Sequence, residues 1–561
     1  MNALRRLAIV LVLLPWGLVQ ANPTAPGQAA IATAHPMATA AGREVLEAGG
    51  NAFDAAVAIT AALAVVEPYS SGLGGGGFYL LHAAQSGRDV MLDARERAPG
   101  RASRDMYLDA DGNPQPKLSV DGALAAGIPG IPAALDHLAA KYGALPLSRT
   151  LDPAIRAARE GFAVTAMYRR LAGFRESLLA ADPASRAIFL DDGELPAIGH
   201  VIRQPELAET LEHIALEGRD GFYQGDQAGR LVDGVRKAGG IWCRSDLAGY
   251  RVVERAPVVS HFRGFTVVSA APPSSGGVAL AEILNTYARL ERRTGGLDDA
   301  SALGLHYRIE AMRRAYRDRA DYLGDPDYVD MPLDRLTSTD YAAGLAVGIS
   351  ATEATRSSTL AAVVTEPEGP HTTHFSVMDT EGNVVSNTYT INFSYGSGIT
   401  VAGAGFLLNN EMDDFSAKPG VPNAYGLIGG EANKVEPGKR MLSSMSPTIV
   451  RKDGKNFLVT GSPGGSRIIT TTLQVVMNVI DHNMNIQTAV SVPRIHHQWL
   501  PDEIRIEQGI SPDTVQRLQE KGHTVVTKSA MGAIQSILIG PDGTLYGGAD
   551  PRRSTSSAMG Y

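Results

Sequence analysis

HTTHFSVMDTEGNVVSNTYTIN occupies residues 371–392 and carries a hairpin pattern. Residues alternate through His374, Phe375, Ser376, Val377 and Met378, turn at 379–382, and alternate again over 384–389. The residues before it, TEPEGP at 365–370, are turn formers and charges, a poor start for any packed element. A threonine therefore stands at the mouth of a strand, just after a loop that could be cut. Breaking the bond between His371 and Thr372 would give Thr372 both a hydroxyl and a free α-amine. An α-amine has a pKa of roughly 7.7–8.0, so it can serve the hydroxyl as a base near neutral pH. The competing reading is an ordinary edge strand whose Thr-Thr pair suits β geometry.

The rest of the chain sets the bounds. At 561 residues, 44% of them hydrophobic and 20% charged, the chain can bury a large core or several domains. A formal net charge of −8 argues against a general nucleic-acid binder. Arg5 and Arg6 precede an apolar run at 7–14, Pro15 and small residues near 19–21, the three-part form of an export signal cut after Ala21. The apolar run is shorter than the roughly 20 residues needed to span a bilayer. The expected product is an exported protein with no membrane anchor, periplasmic in a Gram-negative cell and otherwise secreted. The single cysteine, Cys243, cannot form an internal disulfide and reads as a buried apolar residue.

In chain order, a helical pattern from Ala40 ends at Gly49-Gly50, and a second runs from Ala52 to Val66. Ser70 to Gly77 is glycine-rich, but no Lys-Ser/Thr follows and it leads into a strand, which excludes a phosphate loop. Those glycines instead allow backbone to approach backbone or substrate. A strand over 90–94 delivers Arg95 to a sheet end, where it could hold a carboxylate or form a surface ion pair. The middle of the chain is mostly helical, with helices beginning at Asp152-Pro153 and near Val278 and one over 306–322. After Thr372 strands dominate, with turns at Asp453-Gly454 and Asp542-Gly543 and helices after Gly465 and after Pro512. The sum is sheets with helices packed outside, an α+β or a layered αββα arrangement.

Several motifs in this order resemble the γ-glutamyltranspeptidases (glutathione hydrolases), members of the N-terminal-nucleophile hydrolases. They are Thr372-Thr373-His374, LLNNEMDDF at 407–415, LSSMSPT at 442–448 and TGSPGGS at 460–466, with Arg95-Glu96 and Pro272 to Gly277 upstream. The resemblance covers nearly all of the chain after the export signal. It implies a four-layer αββα sandwich and a precursor that cuts itself between His371 and Thr372. The large subunit would be 22–371 and the small subunit 372–561, folded together as a heterodimer. Thr372 would then attack a γ-glutamyl carbonyl and pass the group, as an ester, to water or to an amino acid or peptide amine. Thr390 would orient the nucleophile, and Gly464 and Gly465 would supply the oxyanion hole. Arg95, Ser443 and Ser444 would hold the substrate α-carboxylate, and Asn392, Glu411 and Asp414 its ammonium. Tyr425 would sit in a lid over the pocket. Neither a metal nor another cofactor is expected: the acidic run at 411–414 lacks a calcium-loop pattern, and His496-His497 lacks a third ligand.

Three other readings compete. A related acylase for glutaryl side chains of β-lactams would need no ammonium site, which Asn392, Glu411 and Asp414 speak against. A catalytically dead periplasmic binding homologue would not need Thr372, Thr390 and the Gly-Gly pair. A serine hydrolase would need a Gly-x-Ser-x-Gly elbow, and none stands out.

Overall fold

A computed structural model describes residues 28–298, 300–360 and 372–560. The expected export signal and His371 lie outside the described residues.

Two antiparallel sheets face one another. In the seven-stranded sheet the spatial order is Ser557–Gly560, Ala30–Thr33, Thr373–Met378, Val384–Thr390, Gly76–Ala83, Arg88–Ala94 and Val253–Arg255. The six-stranded sheet runs Leu545–Ala549, Gln535–Ile539, Lys455–Thr460, Thr448–Lys452, Phe265–Ser269 and Val258–Phe262. Alternation along each strand divides the apolar residues between two faces. Ala30, Ala32, Phe78, Leu80 and Val384 pack against Val268, Ile449, Val459 and Ile537, so one core lies between the sheets. Ile31, Tyr79, Leu81, Val377 and Tyr389 point the other way, onto Ala52–Val66 and neighbouring helices. On the far side Val267, Val450 and Leu458 pack under Gly276–Thr294, Ala302–Tyr322 and Ile468–Ile480. Three apolar interfaces separate four layers, the αββα sandwich expected from the sequence.

The hairpin forms as read. Met378 pairs with Val384 and Thr373 with Tyr389. Asp379 ties its turn down: one carboxylate oxygen accepts from Glu381 and Asn383 backbone N–H groups, the other from Ala52 N–H at the start of the buried helix. The glycine-rich loop does bring backbones together. A Cβ on Gly74 would lie 2.0 Å from the Leu407 carbonyl oxygen, and one on Gly75 1.9 Å from that of Thr390.

Three expectations change. Pro153 does not start its helix but lies inside Leu147–Glu160, whose N-cap is Pro146. The first helix begins a turn before Ala40, at Pro36, because His35 caps it by accepting from Met37 N–H. Cys243 is only half-buried: its backbone N–H is held by Asp246 at the head of Arg244–Ala248, and Arg236 donates to its sulfur. Both sheets combine strands from before and after Thr372, among them the expected strand over 90–94.

Candidate active site

Thr372 and Thr390 lie at the same end of neighbouring strands. The Thr372 hydroxyl donates to the Thr390 hydroxyl at 3.2 Å, and Thr390 Oγ1 accepts from Asn392 N–H at 2.8 Å. Both threonines are buried. Thr372 has φ of 103°, a region that a β-branched residue rarely enters. His374 is no candidate for the base. It hydrogen-bonds Thr388 and Ser376, and burial holds its pKa down at about 3.

Thr372 is fixed from behind by groups that sequence reasoning missed. Arg553 donates to the Thr372 carbonyl at 3.1 Å and pairs with Glu67 at 3.0 Å. Glu67 in turn accepts from the Thr373 hydroxyl at 2.9 Å. The signal available was Glu67 itself, an acid directly after fifteen helical residues of which Asp54 is the only charged one.

Arg95, Glu411, Asp414, Asn392, Ser443, Ser444 and Tyr425 are brought together around Thr372. Glu411, Asp414, Asn392, Tyr425 and both serines line one small cavity with the two threonines and Gly465. Arg95 does not stand apart waiting for a carboxylate. It is fully buried and paired with both Glu411 and Asp414, with Glu96 3.5 Å away. Burial pushes the Glu96 carboxyl up to about 8 and raises Glu411 and Asp414 as well, with Arg95 opposing each rise. Glu411 Oε2 is buried with no hydrogen-bond partner among the described residues. Such an acceptor calls for a donor that is not part of the protein.

Both serines are oriented as donors. Ser443 Oγ accepts from Met445 N–H at 3.1 Å, and Ser444 Oγ accepts from Arg319 at 3.3 Å. Neither hydroxyl donates to a protein group among the described residues, so each retains its proton for an anion. Arg319, which sequence reasoning also missed, is buried on Ala302–Tyr322, and among the described residues its side chain hydrogen-bonds only Ser275 and Ser444. Burial lowers its pKa to about 10.

Gly464 and Gly465 join Lys455–Thr460 to the helix Ile468–Ile480, at φ values of 131° and 56° that favour glycine. Among the described residues neither N–H is taken by another group. Tyr425 covers this turn: a Cβ on Gly465 would lie 2.6 Å from its ring. The ring stacks on Phe393 at 4.7 Å and its hydroxyl donates to the Asn392 carbonyl. In this state the cavity beside Thr372 measures only about 20 Å³.

His496 and His497 are both buried and hydrogen-bonded, His496 to Thr470 and Gln498, and His497 to Trp499 N–H. Among the described residues no helix is long and apolar enough to cross a membrane.

The family model for gamma-glutamyltranspeptidase matches residues 38–560. The chain belongs to that family. It is 47% identical to the glutathione hydrolase proenzyme of Escherichia coli (strain K12), over 96% of this chain and 93% of that one. To the acylase ACY 1 proenzyme of Pseudomonas sp. (strain SE83) it is 35% identical, over 94% of this chain and 93% of that one. Among solved structures, the cephalosporin acylase from Bacillus halodurans superposes with a TM-score of 0.83 at 29% identity, covering 95% of each chain. The Helicobacter pylori gamma-glutamyltranspeptidase matches at 42% identity and a TM-score of 0.55, over 58% of this chain and 92% of that one.

Proposed function

We propose that this protein is a self-processing γ-glutamyl transferase and glutathione hydrolase, exported from the cell after loss of residues 1–21. The first step is cleavage. Thr372 Oγ attacks the His371 carbonyl carbon, the C–N bond breaks, and the nitrogen takes the hydroxyl proton. Water then opens the ester, leaving a carboxylate on His371 and a free amine and hydroxyl on Thr372. The φ of 103° supports this reading: strain of this kind costs on the order of 1–3 kcal/mol, and cutting the bond abolishes the torsion. The products are 22–371 and 372–561, held together as a heterodimer.

In turnover, the Thr372 amine takes the hydroxyl proton as Oγ attacks the γ-carbonyl. The developing oxyanion lies against the N–H groups of Gly464 and Gly465, donors each worth roughly 10²–10³ in rate in comparable sites. The amine proton then goes to the leaving nitrogen, and a γ-glutamyl ester remains on Thr372. Attack by water or by an amine reverses these moves. A γ-glutamyl group carries both a carboxylate and an ammonium, so it can replace the internal pairing of Arg95 with Glu411 and Asp414 by pairings of its own with each side. Its carboxylate takes Arg95 together with the Ser443 and Ser444 hydroxyls, while its ammonium takes the freed Glu411 and Asp414 and the Asn392 carbonyl oxygen. Tyr425 must move for this to happen, which supports a lid role.

The observation that carries this reading is the unpartnered Glu411 Oε2 in the cavity of Thr372. The acylase reading is favoured by the Bacillus halodurans superposition, but a glutaryl side chain has no ammonium to satisfy that acceptor. N-terminal sequencing of every band on a denaturing gel tests the proposal. Two chains, one starting Thr-Thr-His-Phe-Ser, are expected, with the Thr372→Ala variant staying uncut and inactive. A single uncut chain from folded, unsubstituted protein would overturn it in favour of a non-catalytic relative.

A further inference from the structure

Of the three acids in the turn Glu411–Asp414, two pair with Arg95, and the third, Asp413, is buried and makes its hydrogen bonds elsewhere. One Asp413 carboxyl oxygen accepts from the Ser119 hydroxyl at 2.7 Å, the other from the Ala424 backbone N–H at 3.1 Å. The Asp413 main-chain carbonyl accepts from the Asn423 side-chain amide at 3.3 Å. Asn423 Oδ1 in turn accepts from the N–H groups of Tyr425 and Leu427, both at 3.0 Å, which folds the loop tip around it. Asn423, Ala424 and Tyr425 therefore hang, directly or at one remove, on a single acid. Ser119 lies on Pro116–Val120, so this hold also joins the chain before Thr372 to the chain after it.

The other polar holds on the loop are weaker in kind. Lys418 reaches the Gly112 carbonyl from an exposed position. The Gln498 amide lies 3.4 Å from the carbonyls of Tyr425 and Gly426, longer than an ordinary N–H···O bond. The Tyr425 hydroxyl meets the Asn392 carbonyl at 3.2 Å. Burial pushes the Asp413 carboxyl up to about 7, with Asp414 adding to the rise and the Ser119 and Ala424 donors opposing it. Protonated or not, the group keeps an oxygen that can accept from Ala424 N–H. With the loop held this way, the cavity beside Thr372 has room for about one water molecule and none for a γ-glutamyl group. The latched loop belongs to the empty enzyme, and a donor enters only when it opens. The apparent affinity for a donor is then the intrinsic one reduced by the fraction of enzyme that is open.

We propose that Asp413 is the latch of this loop, a positioning residue that sets how much of the enzyme stands open to donors. The inference rests on the γ-glutamyl reading above and adds what regulates entry to that site. Asp413→Ala removes the latch. Asp413→Asn keeps it in neutral form: the amide oxygen accepts from Ala424 N–H, and the amide N–H donates to Ser119 Oγ. The Ser119 proton then turns to the Pro116 carbonyl, 3.0 Å away.

The test uses the processed protein, with hydrogen exchange followed by mass spectrometry on a peptide covering 418–428 and kinetics with γ-glutamyl-p-nitroanilide. In Asp413→Ala, exchange in the loop should speed up roughly tenfold or more, the range for losing a buried hydrogen bond to an acid. The KM for the donor should fall roughly threefold or more with kcat retained, because more of the enzyme is open. Damage to the site would raise KM or lower kcat instead. Asp413→Asn should stay within about threefold of the unsubstituted protein in both readouts. Ser119→Ala removes only the hydroxyl that orients the carboxyl; it should move both readouts the same way by less, and it decides the matter if Asp413→Ala does not fold. Unchanged exchange in Asp413→Ala, or a KM that rises in it, would overturn the latch. No release of nitroaniline by the unsubstituted protein would overturn the γ-glutamyl reading, while exchange would still decide whether Asp413 holds the loop.

Discussion

Arg553 and Glu67 show why a site cannot be read from its nucleophile alone. Glu67 is fully buried, and Arg553 is its ion-pair partner and a donor to the Thr372 carbonyl. Truncating Arg553 leaves a buried carboxylate without its cation, a loss that typically costs about 3–5 kcal/mol. Arg553→Ala should therefore both unfold at lower urea and cut slowly between His371 and Thr372. The double variant Arg553→Met with Glu67→Gln should recover much of the stability but not the rate of cutting, because the carbonyl still lacks its donor. Urea titration and a time course on denaturing gels separate the two; recovery of cutting together with stability would refute a positioning role. A second prediction concerns Arg319, which donates to the Ser444 hydroxyl oxygen beside the cavity. Arg319→Met should raise the KM of γ-glutamyl donors, and unchanged donor kinetics would remove it from the site. The hairpin that carries Thr372 was legible because strand alternation is a local signal and the family motifs bracket it. Arg553 and Glu67 were not, since 486 positions separate them and nothing local marks either as a partner of the other. Legibility also failed for the resting state of Arg95: the motif names its ligand, but the internal pairing with Glu411 and Asp414 exists only once the chain is folded.

At the scale of elements, helices and strands with a strong period were legible and their neighbours were not. The Ala52–Val66 helix could be bounded by Asn51 and Pro68, because a capping box and a proline act within a few residues. Pro153 misled, because a proline signals a helix start only when no earlier turn is held by packing, and Leu151 and Ala154 bury that helix on both sides of it. The contact between Ala302–Tyr322 and the segment after Pro512–Glu520 is a further case, made by His306 and His523. Their ring nitrogens lie 2.7 Å apart, and His306 also bonds the Ser350 carbonyl. Burial lowers both pKa values, that of His523 to about 3, against about 6.5 when unfolded. Lys521, Arg313 and the neighbouring His497 add repulsion, and Glu310 opposes it. A depressed histidine pKa means that the unfolded chain binds more protons as pH falls. The contact therefore costs nothing above pH 7 and weakens folding progressively from about pH 6.5 down towards pH 3. Between pH 7 and pH 4.5 the loss from His523 is on the order of 2 kcal/mol. Unfolding by urea at these two pH values should show a smaller difference in His523→Gln than in the unsubstituted protein; an equal difference would place the acid sensitivity elsewhere.

For the whole molecule, the strand order makes a cut at Thr372 a change in chain count rather than in architecture. In the seven-stranded sheet, Ala30–Thr33 sits between Ser557–Gly560 and Thr373–Met378, so a strand from before the cut is paired on both edges with strands from after it. The six-stranded sheet crosses the same divide where Phe265–Ser269 pairs with Thr448–Lys452. Neither piece can close its own sheets or cover both faces of the shared core. The two should elute as one particle from a sizing column and separate only in denaturant. Unfolding of the cut protein then turns one folded particle into two chains, and its midpoint must depend on concentration, whereas a chain that stays joined at Thr372 unfolds within a single molecule. Raising protein concentration a hundredfold should stabilise the cut form by about 2.7 kcal/mol, the mass-action value for that ratio, and leave uncut Thr372→Ala where it was. Thermal or urea midpoints measured at two concentrations for each protein decide it. If the cut protein's midpoint stayed fixed, the pieces would have to fold independently, and the interleaved sheet order would have no part in holding them together.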